Sequence, residues 1–490
     1  MSVKSVAIVG AGAAGAVTAA AFHAEKHFDV IRVFERRDSP GGTWIYDPDP
    51  GETWSLQPGL LPTELDPPLQ PPKHMPQTIA PNLQKRWEIT PIYAELTTNV
   101  PNIAMSFSDQ RFAYGPFVPH WIPKQYIQDY FAKHRADSSL VLCTTVEEVT
   151  KLPPRGPHQT ERWKLTLRRY DAVQHLDAWW EEEFDAVVFA NGHYSVPFIP
   201  RVQGLEDYIE KFPDRVTHSK TYRIASLYRD KRVLVIGNSA SGHDITTQLV
   251  QSGVTKLPVY QSRRTHSRWD GKEPPENIEW KPVVREYRAS TNEIIFDNDT
   301  VLTDVDVVIY CTGYKASFPF WNNEKNGGPL FDYRENRLLG FYQHTFSQLY
   351  PQSLGVVGLP RVLTFRSFEY QAVALARVFA GRSSHTLPSL FSMKKWERER
   401  AELVRKERRK FHDIQWDNGE TDVWIKYLYD LAGLPTLDGH GRCPPALDEK
   451  TRWAIEHVRK YPEPGKDEEV EGDWVKVENA MGGRDSLHFI

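Results

Sequence analysis

The stretch SVAIVGAGAAGA, Ser5–Ala16, decides how the chain begins to fold. Its first five residues form a short apolar run that is typical of a buried parallel strand. Gly10, Gly12 and Gly15 follow in the spacing Gly-x-Gly-x-x-Gly, and an alanine-rich helical segment comes next. Gly10 permits a tight turn, Gly12 lets a pyrophosphate approach the backbone, and Gly15 lets the helix pack close to the strand. The sequence therefore predicts a βαβ unit whose helix N-terminus binds a dinucleotide.

The second predicted strand, Asp29–Glu35, indicates which dinucleotide this loop binds. Glu35 lies about 20 residues after Gly15, where a carboxylate accepts hydrogen bonds from ribose hydroxyls. A carboxylate at that place repels a 2′-phosphate. We therefore expect FAD or NAD(H) at the first loop and not NADP(H), with Ala14 among the binding residues.

A second loop, VLVIGNSASGHDI at Val233–Ile245, is a loose copy of the first. It also follows an apolar strand and opens a helix, but Ser239 stands where the first loop has Gly12. Serine is small enough for close approach, and its hydroxyl can itself bond phosphate. The predicted binding residues of this loop are Gly237, Ser239, Ala240, Ser241 and Gly242.

The strand after the second loop ends in YQSRRT and carries Arg263 and Arg264, with no acid at the place that Glu35 occupies in the first copy. Guanidinium groups suit a 2′-phosphate because they offer paired N–H donors. The second loop is therefore predicted to bind NADP(H), and the alternative is a solvated arginine pair at a strand end. Two nucleotides in one chain imply hydride transfer from a nicotinamide to a flavin in the first site.

The predicted fold class is α/β, with two doubly wound, Rossmann-like dinucleotide-binding domains. Two buried strands end in turns, FANGHYSVP and YCTGYKASFP, at which the chain can cross between the domains. The NADP domain, residues 214–324, is predicted to be inserted into a discontinuous FAD domain built from residues 1–213 and 325–490. Residues 48–91, rich in proline, form a predicted irregular excursion, and the acidic tail YPEPGKDEEVEGDW is expected to be loosely ordered.

Composition excludes several classes of protein. The net charge is −4, from 60 basic and 64 acidic residues, which argues against a nucleic-acid binder. Three dispersed cysteines, Cys143, Cys311 and Cys443, form neither a disulfide framework nor a zinc pattern. They favour a reducing compartment, so we expect a cytoplasmic protein without a metal. No window approaches the roughly 18 consecutive apolar residues of a membrane span, and no signal peptide is expected.

The chain resembles the flavin-containing monooxygenases, and in particular their soluble fungal members. The identifying stretch of that family has Phe, then Gly two residues on, His four further and an aromatic residue four beyond. Here it reads KFPDRVTHSKTY, with Phe212, Asp214 in place of the glycine, His218 and Tyr222. ERRDSPGGTW, YAELTTN, VIGNSASGHDI and CTGY match further segments of the family, and FRSFEYQA is a weaker likeness. These segments run from Val6 to about Gln371.

The resemblance implies that NADPH reduces FAD, that oxygen adds to give a peroxyflavin, and that bound NADP+ shields it. A nucleophilic nitrogen or sulfur of a small amine, thiol or sulfide then takes the distal oxygen. By family analogy Asn99 is the catalytic residue, nearest the reactive edge of the flavin; a plain turn asparagine is the alternative. Other residues assigned to FAD through the matched segments are Gly42, Trp44, Thr98, Thr312 and Gly313.

Trp44 fits a place on the flavin or in the core, and His218 is interpreted as a structural histidine. Ser219 and Tyr222 are assigned to the NADP side by their chain position. Oligomeric state and substrate identity are not predicted.

Three rival enzymes and one non-enzyme are consistent with parts of this pattern. A Baeyer–Villiger monooxygenase acting on ketones uses the same cofactors, but its fingerprint carries tryptophan at the place of Tyr222. A disulfide reductase needs a close cysteine pair, which the chain lacks. An ornithine or lysine N-hydroxylase fits the stretch at Phe212 less well. A nucleotide-binding scaffold without turnover would need neither Asn99 nor Arg263.

Overall fold

The structure is a computed structural model that describes residues 3–51, 57–84, 86–154, 161–267 and 270–461. The acidic tail expected to be loosely ordered lies almost wholly outside the described residues.

The helices, in chain order, are α1 Ala13–Ala24, α2 Pro62–Leu65, α3 Asn102–Met105, α4 Trp121–Lys133, α5 Leu205–Lys211, α6 Ala240–Gln251, α7 Asn323–Asn326, α8 Phe365–Phe379, α9 Leu390–Lys406, α10 Glu420–Ala432 and α11 Glu449–His457. Short 3-10 turns lie at Gly42–Trp44, Asp137–Ser139 and Ala225–Tyr228.

The strands are β1 Ser5–Val9, β2 Val30–Phe34, β3 Gln77–Ile79, β4 Leu140–Val141, β5 Thr145–Leu152, β6 Arg162–Asp171, β7 Leu176–Phe184, β8 Ala186–Phe189, β9 Val196–Pro197, β10 Val216–His218, β11 Arg232–Ile236, β12 Lys256–Ser262, β13 Ile278–Lys281, β14 Val284–Arg288, β15 Glu293–Phe296, β16 Val301–Leu302, β17 Val307–Tyr310, β18 Tyr314–Lys315, β19 Phe331–Asp332, β20 Arg337–Leu338, β21 Phe341–Tyr342, β22 Phe346–Ser347 and β23 Leu354–Val356.

The first large sheet has the order β21-β22-β23-β8-β1-β2-β4, and its central strands β23, β8, β1, β2 and β4 are parallel. Alternate residues of β1 face opposite sides, as the period of a strand requires. Val6 and Ile8 belong to a core shared with α1, α4 and α8. Ala7 and Val9 pack with β5, β6 and β7, which form a four-stranded antiparallel sheet with β3 on the other face. Both faces are buried, which explains why β1 is apolar throughout.

The second large sheet has the order β10-β17-β11-β12-β13, and all its neighbours are parallel. Val233 and Val235 of β11 pack with Ile245 of α6, while Leu234 packs on the opposite face with Tyr287 of β14. Both predicted βαβ units are therefore present. The predicted α/β class with two Rossmann-like sheets is confirmed.

The chain crosses between the two large sheets at two neighbouring places. β9 pairs antiparallel with β18, and the Phe198 N–H donates to the Gly313 carbonyl oxygen at 3.0 Å. The Thr312 hydroxyl donates to the Phe198 carbonyl oxygen. The Thr-Gly turn thus joins the two crossings to each other.

Packing near these crossings bears on the predicted domain bounds. Leu205 and Tyr208 of α5 pack with the second sheet, whereas Ala316 and Phe318 pack with the first. The division at residues 213 and 324 stays a prediction, and this packing favours crossings nearer to 198 and 313.

Several sequence-based element bounds differ from those observed. The helix expected at 123–136 is α4, which begins at Trp121, two residues before the proline. The charged helix expected at 393–411 is α9, and it ends at Lys406. The excursion at 48–91 is not wholly irregular, because it contains α2 and β3, and β3 pairs with β7. Short strands of this kind form because a neighbouring strand pairs with them, and the local sequence pattern does not predict them.

Within the described ranges, no helix combines the length and apolar character needed to cross a membrane.

Candidate active site

The first loop is held in a shape that only glycine tolerates at two of its positions. Gly10 has φ of 104°, and a Cβ there would lie 2.7 Å from the Ala190 carbonyl oxygen. A Cβ on Gly15 would lie 1.9 Å from the Gly10 carbonyl oxygen. These contacts confirm why the sequence has glycine at both positions: the turn and the helix are packed against backbone that cannot move aside.

The structure does not require glycine at Gly12. Its φ of −79° suits any residue, and a Cβ there would make an ordinary contact of 3.4 Å with the Gly42 Cα atom. Glycine is required at Gly42, where φ is 54° and a Cβ would lie 2.7 Å from the Gly12 Cα atom. Gly12 precedes α1 without a side-chain cap, and the first turn of α1 has no acidic residue. The N–H groups and dipole of α1 are therefore available to an anion such as the pyrophosphate of FAD.

Glu35 lies beside the same loop and is 6% exposed. One of its carboxylate oxygens accepts from the Ala11 N–H at 2.8 Å, and the other accepts from the Arg37 N–H at 2.9 Å. The carboxylate is thus held at the end of β2, next to the loop, where a ribose hydroxyl would meet it.

The second loop repeats this backbone. Gly237 has φ of 113°, and a Cβ there would lie 2.7 Å from the Cys311 carbonyl oxygen. A Cβ on Gly242 would lie 2.1 Å from the Gly237 carbonyl oxygen. Ser239 precedes α6 with φ of −84°, is exposed, and makes no side-chain cap. The first turn of α6, which begins at Ala240, again has no acidic residue, so this helix end also fits a pyrophosphate.

Ser219 and Ser241 both lie beside the Cys311 side chain, next to the second loop. Burial raises the pKa of the Cys311 thiol to about 12, so the sulfur stays protonated. Ser219 also approaches the Tyr314 hydroxyl at 3.4 Å, immediately after the Thr312-Gly313 turn. The structure therefore places Ser219 at the same sheet edge as the loop.

The two arginines predicted to bind the 2′-phosphate lie in different environments. The Arg263 guanidinium donates to the Asp270 carboxylate at 2.7 Å and lies 3.4 Å from the centre of the Trp280 ring. Asp270 also accepts from the Asn238 amide at 2.9 Å. Arg264 is exposed and forms no ion pair within the described part of the chain. The structure therefore links Arg263 to the loop through Asp270, and it leaves Arg264, the next residue, open to solvent.

Asp270 was missed by sequence reasoning. It comes seven residues after Arg263, beyond the end of the strand, and no spacing rule links it to the loop.

Tyr222 lies under α6. It is fully buried, its ring packs against Tyr93 and Tyr228, and its hydroxyl donates to Gln248 at 3.0 Å, in the later turns of α6. Its assignment to the NADP side stays a prediction, and this burial does not favour direct contact with the nucleotide.

His218 is a structural residue, as interpreted. Its Nδ1 accepts from the Lys220 N–H at 3.0 Å, and its Nε2 lies 3.1 Å from the Gly313 carbonyl oxygen, to which it donates. Burial lowers its pKa to about 3, so the ring is neutral and holds the second crossing in place.

Asp214 takes the place of the family glycine without disturbing the stretch. Its φ is 67°, in the left-handed region that glycine enters freely and that aspartate tolerates better than most residues.

Lys220, which the sequence did not single out, is only 2% exposed at this same edge. Burial, with Arg36 and Arg223 nearby, lowers the pKa of its ammonium group to about 7. Lysine side chains are rarely buried, so the sequence alone would not predict that Lys220 is buried.

Asn99, the predicted catalytic residue, is exposed and follows a well-fixed Thr98. The Thr98 N–H donates to the Val118 carbonyl oxygen at 2.8 Å, and the Val118 N–H donates to the Thr98 hydroxyl at 3.0 Å. Within the described residues the Asn99 side chain has no hydrogen bond, so its amide is free to contact a ligand.

Trp44 and Ala14 border the first loop. The Trp44 ring meets Phe365 edge-on at 6.4 Å and packs partly against the main core, so the core alternative has direct support. Ala14 lies against Gly358, on which a Cβ would be 2.9 Å from the Ala14 Cβ atom.

The described residues contain no cluster of His, Cys, Asp or Glu that could hold a metal ion. The site is therefore built from two helix N-termini, one buried carboxylate and a pair of arginines.

Comparison with known proteins agrees with this geometry. A family model described as flavin-binding monooxygenase-like matches residues 85–267 and 276–436. A second model, the NAD(P)-binding Rossmann-like domain, matches residues 8–66 and so includes the first loop.

Individual relatives cover most of the chain. The flavin-containing monooxygenase FMO GS-OX4 of Arabidopsis thaliana is 31% identical over 492 residues, which cover 96% of this chain and 93% of the relative. The flavin-containing monooxygenase iboF of Amanita muscaria is 28% identical over 456 residues, covering 82% and 83%. The solved structure of S-allyl-L-cysteine S-oxygenase from Allium sativum is similar with a TM-score of 0.72 and 25% identity, covering 98% of this chain and all of that one. The chain therefore belongs to the flavin-binding monooxygenase family, it is a flavin monooxygenase, and its cofactors are FAD and NADPH.

Proposed function

We propose that the protein oxygenates nucleophilic sulfur or nitrogen in small molecules, with FAD at the first loop, NADPH at the second, and molecular oxygen as co-substrate. The observation that carries the proposal is the pair of equivalent loops with opposite side-chain charge, Glu35 at one and Arg263 and Arg264 at the other. The similarity to an S-allyl-L-cysteine S-oxygenase supports sulfur as one acceptor atom.

Each of the two loops would bind one of the two nucleotides. Gly10–Gly15 and the α1 N-terminus would hold the FAD pyrophosphate, and Glu35 the adenine ribose. Gly237–Gly242 and the α6 N-terminus would hold the NADPH pyrophosphate, with Arg264, and Arg263 beside it, at the 2′-phosphate. Bound FAD supplies the electron transfer and the oxygen activation.

The chain's own contribution near the reacting atoms is orientation. The Thr98–Val118 hydrogen bonds fix the backbone that precedes Asn99, and the free Asn99 amide has both a donor and an acceptor with which to hold a bound group. The buried His218 is neutral and occupied by backbone contacts, so it does not transfer protons.

The first experiment follows the flavin spectrum without oxygen. We expect the purified protein to be yellow and NADPH to bleach it much faster than NADH. When oxygen is admitted together with a sulfide or a tertiary amine, NADPH should be consumed. One molecule of sulfoxide or N-oxide should form for each NADPH consumed. Bleaching without oxygenated product, or a lactone formed from a cyclic ketone as the main product, would contradict the proposal.

Asn99→Leu tests the orienting residue. The variant should keep its flavin and its reduction by NADPH, but lose about tenfold or more of its oxygenated product, with the reducing equivalents appearing as hydrogen peroxide. Asn323→Leu, a change of the same kind at an exposed asparagine of α7, is the matched control. Unchanged coupling in Asn99→Leu would remove Asn99 from the site.

A further inference from the structure

A small cavity lies at the edge where β8 and β23 end. His193 follows β8, and Arg361 follows β23, its parallel neighbour. The His193 Nδ1 atom is 3.2 Å from the carbonyl oxygen of Gly358, and Gly358 lies directly against Ala14 of the first loop. The cavity is therefore connected to the first nucleotide loop only through His193 and Gly358, and no residue of the loop motif lines it.

Three residues that line this cavity each bury a polar atom without a hydrogen-bond partner in the described part of the chain: His193 Nε2, Asn336 Oδ1 and Asp413 Oδ1. Buried polar atoms are nearly always paired, so three orphans in one cavity indicate a missing ligand or water.

All three orphan atoms are hydrogen-bond acceptors. The carboxylate and amide oxygens of Asp413 and Asn336 accept by nature. His193 Nδ1 faces a carbonyl oxygen and therefore carries the proton. Burial, reinforced by Arg361 and Lys410, lowers the pKa of His193 to about 3, so the ring is neutral and Nε2 presents a lone pair.

Two cations line the same cavity. The Arg361 side chain is 37% exposed, and its one ion pair within the described residues is a long contact of 3.9 Å with Asp413. Lys410 forms no hydrogen bond or ion pair there through its side chain, and burial, with Arg361 next in importance, lowers its pKa. Acceptors and cations that lack short partners therefore share one space.

We propose that this cavity binds the head group of an α-amino acid, with the ammonium group on Asp413, Asn336 and His193 and the carboxylate on Arg361 and Lys410. The inference rests on the proposed function, since it names the class of sulfide or amine that the enzyme takes.

Size and charge favour this ligand over simpler ones. The cavity has room for about one water molecule, which is also about the size of an ammonium group. An ammonium group has three N–H donors, which matches the three orphan acceptors. A plain amine would leave the two cations unpaired, and a plain anion would face Asp413. The half-exposed Arg361 suits a carboxylate held at the open side.

The experiment compares four sulfides that share a thioether: L-methionine, 3-(methylthio)propylamine, 4-(methylthio)butanoate and dimethyl sulfide. Binding of each to the oxidised, FAD-loaded protein is measured by calorimetry, and sulfoxide formation is measured separately. We expect methionine to bind roughly 10- to 100-fold more tightly than either singly charged analogue, and dimethyl sulfide to bind most weakly.

Two variants assign the charges. Arg361→Gln should weaken methionine and the butanoate by about tenfold but not weaken the amine, because the lost cation is the neighbour of Asp413. Asp413→Asn should weaken methionine and the amine but not the butanoate. Arg398→Gln, an exposed arginine on α9, is the matched control and should change none of them.

The outcomes separate this inference from the proposed function. Sulfoxidation of dimethyl sulfide at the efficiency of methionine, with equal binding, would overturn the amino-acid site and leave the sulfide oxygenase standing. Calorimetric binding of methionine with the predicted variant pattern, but no sulfoxide from any of the four compounds, would overturn the oxygenase instead. No binding of methionine would mean that the cavity holds water only, and would overturn the inference.

Discussion

In the first loop the Gly10 N–H donates to the Phe34 carbonyl oxygen at 2.8 Å, and in the second the Gly237 N–H donates to the Ser262 carbonyl oxygen at the same distance. The residue after Phe34 is Glu35, and the residue after Ser262 is Arg263. Equivalent backbone positions thus carry opposite charges. The shared backbone is the shape of a pyrophosphate site, and we predict that the side chain after the next strand decides which ribose each loop accepts.

The glycine nearest the helix gives the largest expected effect. Gly15→Ala should abolish FAD binding, because its Cβ would lie 1.9 Å from a carbonyl oxygen and the loop must shift. Gly242→Ala, with a contact of 2.1 Å, should keep the flavin and weaken NADPH by about tenfold or more. Flavin content and the concentration dependence of reduction measure both.

Gly381→Ala is the control for backbone strain alone. It has φ of 68° but nothing within 4 Å of its Cβ position, so it should cost only about 1 kcal/mol of stability. Full flavin content in Gly15→Ala would contradict the prediction that a Cβ at this position prevents FAD binding.

Gly12 and Ser239 occupy the same position in the two loops, but exchanging glycine and serine there is expected to change nucleotide affinity much more in the first loop than in the second. Gly12→Ser should weaken FAD by roughly tenfold, because its Cβ would already be in contact with the Gly42 backbone at 3.4 Å and the hydroxyl would add bulk at the predicted pyrophosphate position. Ser239→Gly should change the KM for NADPH by less than about threefold, since Ser239 is exposed and its backbone is unstrained. A large loss of NADPH affinity in Ser239→Gly would show that its hydroxyl binds the phosphate.

The two arginines after the second loop are expected to set the preference for NADPH over NADH. Arg264→Ala and Arg263→Ala should each raise the KM for NADPH by about tenfold and that for NADH far less, because the lost contact is specific to the 2′-phosphate. Arg229→Ala, an exposed arginine outside the loop, is the control. Equal weakening of both nucleotides would place the phosphate elsewhere.

The smallest effect is expected at Asp270, whose carboxylate forms an ion pair with Arg263. Asp270→Asn removes a negative charge beside the predicted phosphate position and frees the guanidinium, so NADPH should bind a few-fold more tightly while NADH is unchanged. Weaker NADPH binding would mean that Asp270 is needed to aim Arg263.

Much of the fold was readable because the signals are local. In each βαβ unit a strand, a short loop with glycine at its first and last motif positions, and a helix are contiguous, so the pattern can be recognised without the rest of the chain. The middle position is Gly12 in the first loop and Ser239 in the second. The short strand β3, by contrast, exists only because β7 offers it a partner.

The sequence also predicted candidate site residues at fixed offsets from the loops, and their binding roles stay predictions. Asp214 has a left-handed backbone, which explains why an aspartate serves in place of glycine. The burial of Tyr222 under α6 could not be predicted, because it depends on the bend after β10.

The sequence by itself determined the two nucleotide loops and the sign of the charge at each, because motif spacing is fixed by the geometry of one turn between a strand and a helix. Only the tertiary structure decided that Asp270 pairs with Arg263, that Lys220 is buried, and that His193, Asn336 and Asp413 share a cavity. Those residues come from separate parts of the chain, and long-range packing, which leaves no periodic trace in the sequence, brings them together.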